Sequence, residues 1–107
     1  MPDFASIDIR VGTVLTATPF PEARKPSLKL TIDFGLDLGV KRSSAQLTVH
    51  YTPDQLVGRQ VIAAVNLGTR RIATFDSEVL VLGAMPSPTE VVLLNVDRPV
   101  QNGTRIG

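Results

Sequence analysis

Between Leu28 and Phe34 the sequence alternates without exception: Leu28, Leu30, Ile32 and Phe34 are apolar, whereas Lys29, Thr31 and Asp33 are polar. Successive side chains of an extended strand point to opposite faces, so this stretch predicts a strand with one face in a core and the other toward water. Such a strand cannot stand alone, because its edges need pairing and its apolar face needs a cover. The rest of the chain must supply both.

It offers mostly further strands. Ile9, Val11, Leu15 and Ala17 alternate with Arg10, Gly12 and Thr16, with Thr13 on one apolar-side position, which predicts a first strand. Pro19, Pro21 and Pro26 end it and predict a surface loop that carries Arg24 and Lys25. Residues Val40 to Val49 predict a third strand whose first half, with Lys41, Arg42, Ser43, Ser44 and Gln46, offers donors on both faces. That polarity suits either a binding surface or an edge strand protected from association. Thr52-Pro53-Asp54-Gln55-Leu56 reads as a capped helical turn stopped by Gly58. Two apolar runs, Val61 to Val65 and Val79 to Leu82, predict the fourth and fifth strands, joined by a polar connection that bends at Gly68 and carries Arg70 and Arg71. Pro86 and Pro88 interrupt the chain, Val91 to Val96 predicts another strand, and Asn102-Gly103 is a hairpin signal. Short strands with little helix predict an all-β chain forming one small closed or partly closed barrel over residues 1–107.

Composition narrows the chemistry. The absence of cysteine removes disulfides, thiolate nucleophiles and thiolate zinc sites, and agrees with an expected cytoplasmic location. The first residues carry neither a basic start nor a long apolar run, and no apolar segment approaches the roughly 18 residues of a membrane span, so neither a signal peptide nor membrane insertion is expected. His50 is the one histidine and reads as structural, and no metal site is expected. Lys41, Ser43 and Ser44 lie close together, but no motif supplies an oxyanion hole; the carboxylates share no spacing, and the glycines spell no phosphate loop. The expectation is a protein that is not an enzyme and uses no cofactor. Binding remains.

The formal net charge of +1 conceals a basic middle: residues 24–71 carry +5 and the remainder −4. A local excess of this kind either attracts an anionic partner or pairs with the acidic ends. Aromatic residues are few, Tyr51 and four phenylalanines, so a reader that stacks bases on aromatic platforms is disfavoured against a binder of backbones, shapes or extended peptides.

Ordered blocks along the chain resemble the tRNA-binding OB-fold domain of freestanding proteins and some aminoacyl-tRNA synthetases. They are Asp8-Ile9-Arg10-Val11-Gly12, Pro21-Glu22-Ala23, Leu28 to Asp33, Leu56-Val57-Gly58-Arg59, Val65-Asn66-Leu67, Arg70-Arg71-Ile72 and Ser77-Glu78. RSSAQ at Arg42 to Gln46, RRIA at Arg70 to Ala73, SEVLVLG at Ser77 to Gly83, VVLL at Val91 to Leu94 and PVQNGTRIG at the carboxyl end are similar to a freestanding, export-related chaperone branch of that family. The resemblance implies a five-stranded OB barrel with a short helix, and a homodimer formed through terminal extensions. It implies unfolded or exported polypeptides as clients, the export motor SecA as a candidate partner, and tRNA as the alternative ligand. By position it assigns Asn66, Arg70, Arg71, Ser77 and Glu78 to the binding side, with Lys41, Arg42 and Ser44 on the polar strand beside them.

Overall fold

The alternating stretch forms strand β2 (Leu28–Asp33) of a computed structural model that describes residues 4–107. It pairs antiparallel with β1 (Ile9–Pro19) on one edge and β3 (Val40–Ala45) on the other. After the single helical turn α1 (Pro53–Leu56), β4 (Gln60–Ala64) pairs with the opposite edge of β1. A hairpin of β5 (Arg70–Ile72) and β6 (Phe75–Ser77) follows, then the short β7 (Leu80–Val81), and a last hairpin of β8 (Gly83–Ser87) and β9 (Glu90–Leu93). The main sheet runs β3-β2-β1-β4-β7 and curls into a nearly closed five-stranded barrel of the OB type.

The core follows from the alternation. Leu28, Leu30, Ile32 and Phe34 are buried with Val14, Leu47, Leu56, Val61, Ala63, Val79 and Leu93. Leu56 enters from α1, where the side-chain oxygen of Gln55 accepts the Thr52 N–H at 3.0 Å and Pro53 occupies the first helical position. The Tyr51 hydroxyl accepts the Leu93 N–H at 3.0 Å and fastens β9 to the same end of the barrel.

The strict alternation expected of β1 fails at one point. Val14 pairs with Ile32 and Thr16 with Thr31, leaving Leu15 as an extra residue in a bulge. Leu15 is therefore 45% exposed and Val14 takes its place in the core. The bulge bends β1 from the half that pairs with β4 to the half that pairs with β2, which is how the sheet turns into a barrel. Gly12 lies in that first half, where an added Cβ would stand 2.7 Å from Ile32 Cγ2 and 2.8 Å from the Phe34 ring.

Four other expectations are corrected. The third strand stops at Ala45, because the chain folds back there to send Leu47 into the core and the Tyr51 N–H to the Leu47 carbonyl. The connection between the two apolar runs is folded, not a loop, and places Arg70 and Arg71 on β5; Ala73, at φ 53°, makes its turn. Pro86 does not end the strand: it lies inside β8 where the pairing slips between Ala84 and Ser87, so no ladder N–H is demanded of it. β9 covers Glu90–Leu93 instead of Val91 to Val96.

Asn102-Gly103 does form a turn, with Gly103 at φ 89° and the Thr104 N–H donating to Gln101 O at 3.1 Å, but the chain that leaves it pairs with β1. Val11 N–H donates to Thr104 O at 2.9 Å, Gly103 N–H to Val11 O at 2.7 Å and Ile106 N–H to Ile9 O at 2.8 Å. The tail thus occupies the edge of β1 that β2 leaves open, and Ile106 and Val96 cover a small second cluster of Ile9, Val11 and Ile62. Arg10 reinforces the junction by donating to Gly103 O at 3.0 Å and to Asp8 Oδ1 at 2.6 Å. The hydrogen bond from Arg10 holds the Asp8 carboxyl below its ordinary pKa.

Gly12→Ala forces either Ile32 or the Phe34 ring off its position. It is expected to lower stability by about 1–3 kcal/mol, read as a fall in the urea midpoint with an unchanged slope.

A groove with an apolar floor and a basic rim

The free edge of β3 and the segment entering β7 form a seam. Glu78 N–H donates to Arg42 O at 2.8 Å, and Arg42 N–H returns a bond to Glu78 Oε1 at 3.0 Å. Ser44 N–H donates to Ser77 Oγ at 2.9 Å, and the fully buried Ser43 hydroxyl donates to Val79 O at 3.0 Å. The polarity of β3 is thereby explained: its serines and its backbone bond to a partner segment that is too irregular to form a ladder. Of the two readings left open for this strand, edge polarity is put to use in closing the barrel.

Beside the seam an open groove of about 990 Å³ runs between the proline-rich loop, the end of β3, the β5–β6 hairpin and the β7–β9 region. Leu47, Ile72, Leu80, Val81 and Val91 line it as an apolar floor, with Met85 exposed on one lip. Arg24, Lys25, Arg70 and Arg71 form its rim, and Glu22 is the one acidic residue among the described lining residues. Arg71 is held by Asp76, with Nη1 3.0 Å from Oδ1. Arg24, Lys25 and Arg70 make no ion pair among the described residues, so their charge faces outward.

The groove also borders an open strand edge. Among the described residues β5 pairs only with β6, and the two-residue turn makes Ile72 and Phe75 the pair nearest the loop. In an antiparallel ladder the pair beside such a turn exchanges hydrogen bonds, and the next, Arg71 with Asp76, directs its N–H and C=O groups away from the partner strand. The backbone of Arg71 is therefore available on the outer edge.

The structure divides the residues singled out from sequence. Ser44, Arg70 and Arg71 line the groove. Arg42, Ser77 and Glu78 belong to the seam, and Arg42 also holds its guanidinium 5.7 Å from the Phe75 ring. Asn66 lies apart: its side chain accepts the Asp8 N–H at 2.8 Å and donates to Ser6 O at 2.7 Å, fixing the segment before β1. Lys41 is on β3 opposite Ile32, away from the groove lining. Reading the sequence missed Arg24 and Lys25 as companions of Arg70, although the +5 segment contained all three, and it missed Ile72, Leu80 and Met85 as floor and lip. His50 contacts Glu90, with Nε2 2.6 Å from Oε2, and ties the turn after β3 to β9. Phe20 and Phe75 meet edge to face at 5.5 Å outside the groove, with the Lys29 ammonium 5.4 and 5.9 Å from their rings. No helix among the described residues is long and apolar enough to cross a membrane.

Against this geometry stand the known proteins that resemble the chain. Residues 9–105 match the family described as "Putative tRNA binding domain". The solved chaperone CsaA from Bacillus anthracis is 48% identical with a TM-score of 0.94, covering 100% of this chain and 99% of that one. The CsaA chaperone protein from Picrophilus torridus is 46% identical with a TM-score of 0.90, over 98% and 95% of the two chains. A methionine–tRNA ligase from Rhodopirellula baltica is 38% identical over 104 residues, which are 97% of this chain. The chain spans only 15% of that ligase.

Ser77→Ala leaves the Ser44 N–H without its acceptor at the seam, and a loss of about 1–3 kcal/mol is expected. Arg70→Ala, on the exposed rim, should change stability by no more than about 0.5 kcal/mol; equal urea midpoints for the two variants would contradict the division made here.

Proposed function

This chain belongs to the tRNA-binding domain family, and on that premise we propose that it is a chaperone whose groove holds extended, non-native polypeptide. One observation carries the reading: the apolar floor lies beside an unpaired β5 edge, so a client can bury side chains and bond its backbone to Arg71 at the same place. Strand addition of this kind recognises extended backbone with little dependence on sequence, which is what a holding chaperone requires. The similarity to two CsaA chaperones over nearly the whole chain supports it. We read residues 1–107 as one non-catalytic binding domain that acts in the cytoplasm. Clients kept extended are competent for export, and an export motor of the SecA type is the proposed receiver.

The working form is a homodimer. Phe4, Ile7, Leu94 and Val100 are exposed apolar residues near the two ends of the chain, where a second copy would cover them. Because the tail is bonded to its own barrel through Thr104 and Ile106, its removal would disturb the fold as well as any interface. Oligomeric state is therefore tested on the full chain. Sedimentation should give twice the chain mass at micromolar concentration, and a single monomeric boundary would overturn the dimer.

The outward-facing charges of Arg24, Lys25 and Arg70 favour a second reading, in which the same rim binds tRNA by its backbone. Lys41, Arg42, Ser44, Asn66, Ser77 and Glu78 enter this reading as the surroundings of the rim, with Arg70 and Arg71 as the contacting pair.

The chaperone reading expects the protein to slow aggregation of a chemically unfolded client and to bind unstructured peptide; failure of both defeats it. Under the tRNA reading, affinity falls with salt at a log-log slope of roughly −0.7 to −0.9 per neutralised phosphate, and Arg70→Ala with Arg71→Ala loses part of that slope. Unchanged tRNA binding in the double variant would remove this hairpin from the contact. A titration of peptide against bound tRNA decides whether one surface serves both.

A further inference from the structure

We infer that the groove selects extended segments in which apolar residues are flanked by acidic ones, and rejects segments flanked by lysine or arginine. This rests on the polypeptide reading and names its client class. The floor residues Leu47, Ile72, Leu80, Val81 and Val91 are aliphatic and accept apolar groups of many shapes, and the polar lining residues beside them, Ser27, Ser44 and Gln46, carry no charge. Discrimination falls to the rim. There Arg24, Lys25 and Arg70 stand without an ion-pair partner among the described residues, Arg71 is paired with Asp76, which also stands 3.8 Å from Arg42, and Glu22 is the one acidic residue of the described lining. The proline-rich loop bearing Arg24 and Lys25 and the hairpin bearing Arg70 line the same groove, so an extended chain on the floor lies within the field of three unpaired cations.

An apolar floor between cations fits a polypeptide better than a nucleic acid. Among the described residues no aromatic side chain lines the groove, which removes the stacking that gives single strands their strongest contacts. The nearest aromatic pair, Phe20 and Phe75, lies outside the lining and is occupied by the Lys29 ammonium and the Arg42 guanidinium. Apolar floor area would then contact a phosphate backbone to no benefit, whereas a peptide with Leu or Val between Asp and Glu matches both floor and rim. Solvent-exposed pairs of this kind change affinity by about threefold each and are weakened by salt, with a Debye length of about 8 Å at 0.15 M. Three such charges acting on the same ligand give about tenfold once their mutual overlap is allowed for.

The test uses the full-length protein and three fluorescent, unstructured peptides with the same Leu-Val centre and flanks of Asp and Glu, of Ser, or of Lys. Anisotropy at 50 mM salt should rank them acidic, then neutral, then basic, with about tenfold between the first two, and 500 mM salt should compress the ranking. Arg24→Glu with Lys25→Glu and Arg70→Glu should reverse the order, and the Gln version of the same three changes should bring acidic and Ser-flanked peptides to parity. Should either variant unfold, the salt titration of the unsubstituted protein still decides. Equal binding of all three peptides overturns charge selection and leaves the polypeptide reading standing. No binding of any peptide overturns both, and tight binding of poly(U) alongside that result assigns the rim to RNA.

Discussion

The barrel depends on a seam that is not a β-ladder. β3 presents its outer edge to residues 77–79, and beside the one backbone bond from Glu78 N–H to Arg42 O the bonds that close it involve side chains: Ser77 Oγ takes the Ser44 N–H, Glu78 Oε1 takes the Arg42 N–H, and Ser43 gives its hydroxyl to Val79 O. Side chains stand in because the segment entering β7 is too short and twisted to run alongside β3. Without them a row of N–H and C=O groups would be buried or left as an open edge, and either outcome is costly.

Closing the barrel this way has a consequence for the surface. The residues that seal the seam are polar and partly charged, and in sequence they look like a binding site. Their hydrogen-bonding capacity is largely spent on one another: Arg42 is shared between Glu78 and the Phe75 ring, and Ser77 and Glu78 satisfy backbone groups. The charge left for a ligand stands one step away, on the proline-rich loop and the β5–β6 hairpin. Those two elements share no ladder among the described residues; they touch where Phe20 meets Phe75, and both contribute to the groove lining. The seam and the groove lining are thereby neighbouring but largely different sets of residues, with Ser44 belonging to both.

The membership in the tRNA-binding domain family and the groove's lining bear on one question from two directions. Relatives in this family include parts of tRNA ligases and freestanding chaperones, so the scaffold serves more than one ligand. A cationic rim is common ground for both. The unpaired edge of β5 and the aliphatic floor are what support the proposed polypeptide reading, since backbone pairing and aliphatic burial are contacts a peptide can satisfy and a phosphate backbone cannot.

Much of the architecture was legible in the residues themselves. Leu28 to Phe34 announced a half-buried strand and Thr52 to Leu56 a capped turn, because alternation, capping and turn chemistry are local and act through near neighbours, whereas the OB barrel was what the family resemblance of the ordered blocks implied. What sequence alone left undetermined were features set by partners distant along the chain. Leu15 leaves the core because β2 imposes a bulge on β1; Arg70 and Arg71 sit on a strand because β6 returns beside β5; and the Asn102-Gly103 turn docks on β1 because β2 leaves that edge open. The candidate site is of the same kind. The types of its charges are written in residues 24–71, but which of them remain unpaired, and that Arg24, Lys25 and Arg70 border one groove with an apolar floor, is decided only when long-range pairing brings the loop, the hairpin and the β7–β9 region together. Local chemistry determines which elements form; the competition for edges and partners determines which groups are left free to bind.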